Sequence, residues 1–268
     1  MMNIALPTDL SETSFKAATF AFDLYGTAGT KYTLVHAYLK PAFDNALLPR
    51  IGNSTQREAV NGLRRFERRC RQYADRAVIA KRTSHFSLVD VLNELDRNKG
   101  VDMIVMGTQG AGNYGLVGSN TKAVVLGASA PVITVPSQWA PAPVKRIMLA
   151  DDGGSLDRFT LEPLVALARR TGAEVVLAHV RENTVSFDKH ADRAQVAELL
   201  SGIRHSFVTV QGDEVSREID GLARQGGVQL VAVIHRQRGF WEAMFHGSKA
   251  KRMALHTTVP LLVLPERP

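Results

Sequence analysis

Residues 101–136 read VDMIVMGTQGAGNYGLVGSNTKAVVLGASAPVITVP: a buried strand, a glycine-rich loop, a helix and a second buried strand. Met103 to Met106 is apolar at every position, as in a strand covered on both faces. Gly107 follows at once, and Gly110, Gly112, Gly115 and Gly118 space out a loop that no regular helix would choose. Gly118-Ser119-Asn120-Thr121 marks a helix start, with Ser119, Asn120 or Thr121 available to cap the first N–H groups. The helix is expected to run to about Ser129, and Pro131 to lead into a strand over Val132–Val135. A glycine loop that ends on a helix N-terminus gathers free N–H groups and the positive end of the helix dipole at one spot. The stretch therefore reads either as a phosphate cradle or as a glycine loop without a ligand, and glycine spacing alone does not separate the two.

Upstream, strands are expected over Asn3–Leu6, Tyr32–Tyr38 and, more polar and so nearer the sheet edge, Val78–Thr83. Helices are expected from about Ser14 to Gly26, capped by Ser11 or Thr13, and over Leu88–Asn98 with Val89, Leu92 and Leu95 inward. Between Arg57 and Arg82 lies an arginine-rich segment whose Leu63, Phe66, Cys70, Tyr73 and Ala74 recur at helical spacing. Strand–helix alternation with short loops argues for an open parallel sheet covered on both faces.

The chain has 268 residues, 45% of them hydrophobic, enough for one large domain or two ordinary ones. No apolar run reaches the roughly 18 residues of a membrane helix, and the N-terminus, MMNIALPTDLSE, lacks the pattern of a secretory signal. With a single cysteine, Cys70, no internal disulfide forms, and a cytoplasmic setting is expected. Arginine neighbours would lower the Cys70 thiol pKa. The net charge of +7 gathers on the arginine-rich helix; that face is expected to be solvated rather than bound to nucleic acid, since no aromatic-interleaved basic strand accompanies it.

After Val135, PSQWAPAPVK reads as a linker, and then the pattern restarts. Strands are expected over Arg146–Ala150, Glu174–Val180, Ser206–Val210, Leu230–Ile234 and Leu261–Leu264, with helices at about Leu156–Thr171, Ala191–Ser201, Glu214–Arg224 and from Gly247-Ser248. Asp9 matches Asp152 and His36 matches His179 at one offset; Gly118 matches Gly247 and Pro131 matches Pro260 at a shorter one. The chain is two copies of one α/β domain.

These residues resemble the universal stress protein family over the whole chain, as a tandem pair. In the first copy the resemblance rests on Pro7-Thr8-Asp9 with Ser11-Glu12, Leu34-Val35-His36-Ala37, Met106-Gly107-Thr108-Gln109-Gly110, Gly118-Ser119 and Ala130-Pro131-Val132. In the second it rests on Asp152, Leu177-Ala178-His179-Val180, Gly247-Ser248 and Val259-Pro260. It implies two Rossmann-like (adenine nucleotide alpha hydrolase-like) doubly wound parallel-sheet domains in tandem, residues 1–138 and 145–268, joined by a linker over 139–144. ATP-binding members hold the nucleotide outside the carboxyl ends of the strands, where switch-point sites lie on physical grounds too. Carried over, Asp9 would face the nucleoside, with Pro7, Thr8 and Ala37 beside the base. Met106, Gly107, Gln109 and Gly110 would approach the ribose and phosphates. Gly118, Ser119, Asn120 and Thr121 would line the phosphates at the helix start.

The departures are specific. The ATP-binding pattern has nine residues between its second glycine and Gly-Ser; here seven separate Gly110 from Gly118. The family's usual valine after the strand histidine is Ala37. In the second copy His235-Arg236-Gln237-Arg238-Gly239-Phe240-Trp241 stands for the glycine loop, and the degenerate site would keep only Asp152, Val180, Gly247 and Ser248. That copy is expected to have lost nucleotide binding. His36 and His179, at matching strand ends, are expected to be structural, and no metal-ligand spacing is present.

The expected function is a stress-response protein that binds ATP, with magnesium, in its N-terminal domain and acts as a non-enzymatic regulator through an unknown protein partner. No nucleophile–base set and no Walker lysine accompanies the loop. The alternatives are a slow ATPase with Asp9 holding a metal, and a nucleotide-free interaction or nucleic-acid module. In single-domain members the last strands pair two subunits. Here Val132–Val135 and Leu261–Leu264 are expected to pair within one chain as a pseudo-dimer, and whether whole chains form a homodimer stays open.

Overall fold

Within each half of the chain the paired strands run parallel, as the apolar strands and helical connections require. The structure, a computed structural model, describes residues 1–38, 49–108, 118–151, 154, 156–181, 193–211, 215–236 and 259–266. The chain divides into two units, Met1–Ser137 and Gln138–Pro268. No helix among the described residues is long and apolar enough to cross a membrane.

Unit 1 runs β1 (Met2–Pro7), α1 (Glu12–Tyr25), β2 (Thr30–Ala37), α2 (Pro49–Tyr73), β3 (Val78–Ser84), α3 (Leu88–Lys99), β4 (Met103–Gly107), α4 (Ser119–Gly127) and β5 (Val132–Val135). Its strand order is β3-β2-β1-β4-β5. The chain winds outward from β1 through β2 to β3, then returns to the other side of β1 for β4 and β5, so the direction of winding reverses between β1 and β4. α1 packs on α2 through an edge-on Phe15–Phe66 pair at 6.1 Å. α3 packs on α4, where Asn93 donates to the Gly127 carbonyl at 2.9 Å. The central strands are buried throughout their apolar runs, while β3 at the edge is half-buried, as its polar sequence requires.

Unit 2 runs β6 (Arg146–Asp151), α5 (Arg158–Thr171), β7 (Glu174–Arg181), α6 (Arg193–Leu199), β8 (His205–Gln211), α7 (Val215–Gln225), β9 (Leu230–His235) and β10 (Leu261–Pro265). Its order, β10-β9-β6-β7-β8, repeats that of unit 1. The ladders fix how the copies correspond. Asn3 pairs with Lys31 and Arg146 with Glu174, an offset of 143 on both strands. Helix α1, capped by Ser11 and Gly26, corresponds to α5, capped by Asp157 and Gly172, at an offset of 146. Unit 2 thus has three more residues before this helix and three fewer after it.

Several local expectations need correction. Val91, not Val89, is buried on α3 with Leu92 and Leu95. Tyr73 closes α2 at 49% exposed, its hydroxyl donating to Asp23 at 2.8 Å. α4 stops at Gly127 rather than Ser129, because Ser129 is drawn to α3, donating from its N–H to Asn93 at 3.0 Å and from its hydroxyl to Asp96 at 2.7 Å. α5 begins at Arg158, not Leu156, because Asp157 takes the cap and accepts from the Thr160 N–H. The linker carries two buried side chains, Trp139 and Val144.

Cys70 is fully buried on α2, and burial pushes its thiol up to about 12, outweighing the lowering field of Arg69; Glu67 adds to the rise. The arginine neighbours therefore do not activate it. At pH 8 about one thiol in ten thousand is ionised. Folded protein is expected to resist a thiol-reactive dye that labels it promptly in denaturant; prompt labelling of the folded chain would contradict the burial.

On the same helix Arg69 pairs with Glu12 at 2.6 Å and covers the Phe15 ring at 3.7 Å, and Arg71 pairs with Glu67 at 3.0 Å. In unit 2, hydrogen bonds from Ser206 and then Arg146 hold the Glu174 carboxyl below its ordinary value. A lowered folded value means stability that is present above the unfolded carboxylate value and lost as pH falls through the folded one. Glu174→Gln is expected to reduce stability at neutral pH and to flatten the acid limb of the unfolding profile below about pH 4.

Candidate functional site

The reversal of winding in unit 1 leaves a crevice at the carboxyl ends of β1 and β4. One wall is the turn from β1 into α1. The Thr8 N–H donates to the Val35 carbonyl at 2.9 Å, continuing the ladder past the strand end. Ser14 spends its single hydroxyl proton on the Ser11 carbonyl at 2.9 Å. Thr8 must therefore be the donor in the 2.8 Å contact between the two hydroxyls. The Thr8 oxygen in turn accepts from the Leu10 N–H at 2.9 Å.

Asp9 is exposed at the tip of this turn, and one carboxylate oxygen accepts from the Ser11 N–H at 3.1 Å and from the Ser11 hydroxyl at 2.5 Å. Ser11 is also the N-cap of α1, accepting from the Ser14 N–H. Leu10 has φ of 70°, a left-handed conformation that costs a leucine about 1 kcal/mol. Its Cδ1 lies where a Cβ on Gly62 of α2 would stand, 2.5 Å away. His36 at the end of β2 donates from Nδ1 to the Thr8 carbonyl at 2.7 Å, which fixes its tautomer and a structural role.

The opposite wall is the end of β4. A Cβ on Gly107 would stand 2.7 Å from Thr13 Cγ2 and 3.1 Å from the Thr13 backbone, so α1 reaches β4 only because residue 107 has no side chain. The Gly118 N–H donates to the Thr108 carbonyl at 3.0 Å, joining the two ends of loop 109–117. The Thr121 hydroxyl donates to the Gly107 carbonyl at 3.0 Å. These two bonds moor the N-terminus of α4 at the mouth of the crevice. The cap position is Gly118, and no side chain caps α4. The expected capping by Ser119, Asn120 or Thr121 is thus corrected: glycine occupies the cap, Thr121 is spent on β4, and Ser119 and Asn120 are exposed.

Among the expected ligands, Pro7, Thr8, Asp9, Ala37, Met106, Gly107, Gly118, Ser119, Asn120 and Thr121 lie at the carboxyl ends of β1, β2 and β4 or at the start of α4. Thr8 and Thr121 are buried and spend their hydroxyls on the frame, and Met106 is buried. Gln109 and Gly110 lie outside the described residues, as do Asp152, Gly247, Ser248 and the aromatic segment around Trp241. Val180 lies in β7. Sequence reasoning missed Leu10 and read Thr13 and Ser14 only as a cap alternative and the helix start; Ser11 takes the cap, and Thr13 and Ser14 build the walls of the site. Nothing in a leucine announces a positive φ, whereas Ser11 and Ser14 at i, i+3 are a readable capping pattern. Among the described residues no group of three His, Cys, Asp or Glu is placed to hold a metal.

A model described as "Universal stress protein family" matches residues 1–136 and 143–265. A universal stress protein of Mycolicibacterium smegmatis is 28% identical over 193 residues, and the match covers 65% of this chain and 65% of that relative's length. Among solved structures, a universal stress protein from Archaeoglobus fulgidus aligns over 98% of both chains with TM-score 0.71 at 17% identity. A putative universal stress protein from Pseudomonas aeruginosa aligns over 99% of this chain and 93% of its own, with TM-score 0.56 at 14% identity. These structural likenesses concern the fold.

Proposed function

The chain belongs to the universal stress protein family, and we propose that it is a stress-response regulator that binds one adenine nucleotide, ATP with magnesium, in unit 1. The observation that carries this reading is the α4 N-terminus, without a side-chain cap and moored to β4, at the crevice where Asp9 stands exposed. Its N–H groups and the helix dipole favour phosphate oxygens. The Asp9 carboxylate, held by Ser11, is oriented to accept from ribose hydroxyls. Magnesium would arrive with the phosphates, since Asp9 is the sole carboxylate on this turn. The reading is non-enzymatic: the nucleotide is a signal, passed to a protein partner. Pairing of the two final strands within one chain belongs to the same proposal, and halves that separate freely after cleavage at 137–144 would contradict it.

The test is mass spectrometry of small molecules released on denaturation, with calorimetric titration of ATP and magnesium. One nucleotide per chain is expected, with affinity at least about tenfold lower in Gly118→Val, because a branched side chain then stands at the cap where the anion would sit. Turnover abolished by Asp9→Ala would favour an ATPase instead. No bound nucleotide and no heat would overturn the proposal.

A further inference from the structure

Unit 2 places different chemistry at the matching crevice. Ile4 pairs with Met103 in unit 1 and Ile147 with Leu230 in unit 2. The place of Gly107 therefore falls on Ile234, and that of Thr108 on His235. At the offset of the first strands Thr8 becomes Asp151, and at the 146-residue offset of the helices the capping Ser11 becomes Asp157. The residue after His235 is Arg236.

The Arg236 side chain is only 13% exposed, and its Nε donates to Glu266 Oε1 at 3.1 Å. Its guanidinium lies against the β6–α5 turn at Gly154, where a Cβ would stand 2.5 Å from Cζ and 2.6 Å from Nη1. Burial raises the Asp157 carboxyl, but hydrogen bonds from Thr160 and Phe159, with the field of Arg236, lower it below its ordinary value. At the end of β6 the buried Asp151 carboxylate faces His179 Nδ1 at 3.3 Å. Unit 1 thus presents hydroxyls, bare backbone and the single carboxylate of Asp9, whereas unit 2 presents Asp157 and Glu266 around a guanidinium of its own, with Asp151 held by His179.

We propose that the crevice of unit 2 is a guanidinium site whose resident ligand is Arg236, built to hold a cation where unit 1 is built to take an anion. A planar, weakly hydrated guanidinium can lie flat on a glycine backbone while its edge reaches carboxylates, which an ammonium cannot do. Gly154 supplies the flat floor. Asp157 caps α5 with fixed negative charge, which favours a cation beside it and opposes an anion. The missing glycines of this unit are one half of a substitution whose other half is Arg236. This inference does not depend on nucleotide binding in unit 1.

The test uses the full chain with Arg236→Ala, with thermal unfolding followed in the presence of methylguanidinium, methylammonium or ATP–magnesium. Arg236→Ala is expected to unfold several degrees below the parent, because Glu266 loses its ion-pair partner and Asp157 the nearby positive charge. Millimolar methylguanidinium should restore part of that loss in the variant and nothing in the parent, by linkage; methylammonium should restore less. Adding Gly154→Val to Arg236→Ala fills the cradle and should abolish the response. Should Arg236→Ala not fold, Arg236→Lys keeps the charge and loses the planar fork. An unfolding temperature below the parent's is then expected, and one equal to it overturns the proposal. So does an Arg236→Ala protein indifferent to methylguanidinium, or one that gains a second nucleotide per chain.

Discussion

Gly107→Val is expected to cost unit 1 about 3 kcal/mol and to abolish nucleotide binding. The new Cβ would stand 2.7 Å from Thr13 Cγ2 and 3.1 Å from the Thr13 carbonyl carbon and oxygen. A methyl group can rotate away, but the backbone of α1 cannot retreat without lifting the helix off β4. The lift opens the crevice between its two walls, so stability and binding should fall together. Gly127→Ala is the matched comparison. Its Cβ would meet only the Val89 methyls, Cγ1 at 3.1 Å and Cγ2 at 4.0 Å, the ends of a half-buried side chain, and alanine has the higher helix propensity. It should be close to neutral. Urea unfolding midpoints and calorimetric affinities for the two variants check the contrast; a Gly107→Val protein as stable as the parent would refute the close approach.

Thr8→Val is expected to cost about 2 kcal/mol and to weaken nucleotide binding by at least about tenfold. The side chains have nearly the same shape, so the loss is one of hydrogen bonding in a buried place. The Leu10 N–H loses its acceptor and the Ser14 oxygen loses its donor. The Thr8–Leu10 bond is also what holds Leu10 at a φ of 70°. Without it the turn can relax, and Asp9, one residue earlier, no longer has a fixed direction. Thr8→Ser keeps the hydroxyl and should retain most of both properties. Equal losses in Thr8→Ser and Thr8→Val would place the effect in packing instead.

Most strands were legible because their residues leave little choice. Met103 to Met106 can only be buried on both sides, and the more polar Val78–Ser84 can only be an edge. The repeat was legible through Asp, His, Gly and Pro landmarks, and the 143-residue offset of the first strands holds in the ladder. The ladder adds a register the landmarks hide. Ile234 replaces Gly107 at an offset of 127, although Val132 pairs with Ile104 and Leu261 with Val231, an offset of 129 for the last strands. Between β9 and β10 unit 2 therefore has two residues more than unit 1 has between β4 and β5. Counted on, the place of Gly110 falls on Gln237, with nine residues between it and Gly247, so the second copy keeps the length of the family's loop without its glycines. The rest of the site was not legible because it depends on three-dimensional partners. The Leu10 conformation needs Gly62, and the seat of Arg236 needs Gly154 and Glu266. No local pattern joins residues so far apart in the chain.

The three residues gained ahead of α5 and lost behind it suggest a route by which such a domain acquires new specificity. The helix keeps its length of 14 residues and both of its caps, and the strands keep their pairing. Only the two connections exchange material, and all of it moves toward the carboxyl end of the sheet, where ligands meet the protein. An insertion there, compensated by a deletion at the far end of the same helix, leaves the spacing between strands untouched. A library of variants made by such paired changes would remodel the recognition turn while sparing the scaffold, and Gly154, which seats Arg236 in the lengthened turn, shows one product of that exchange.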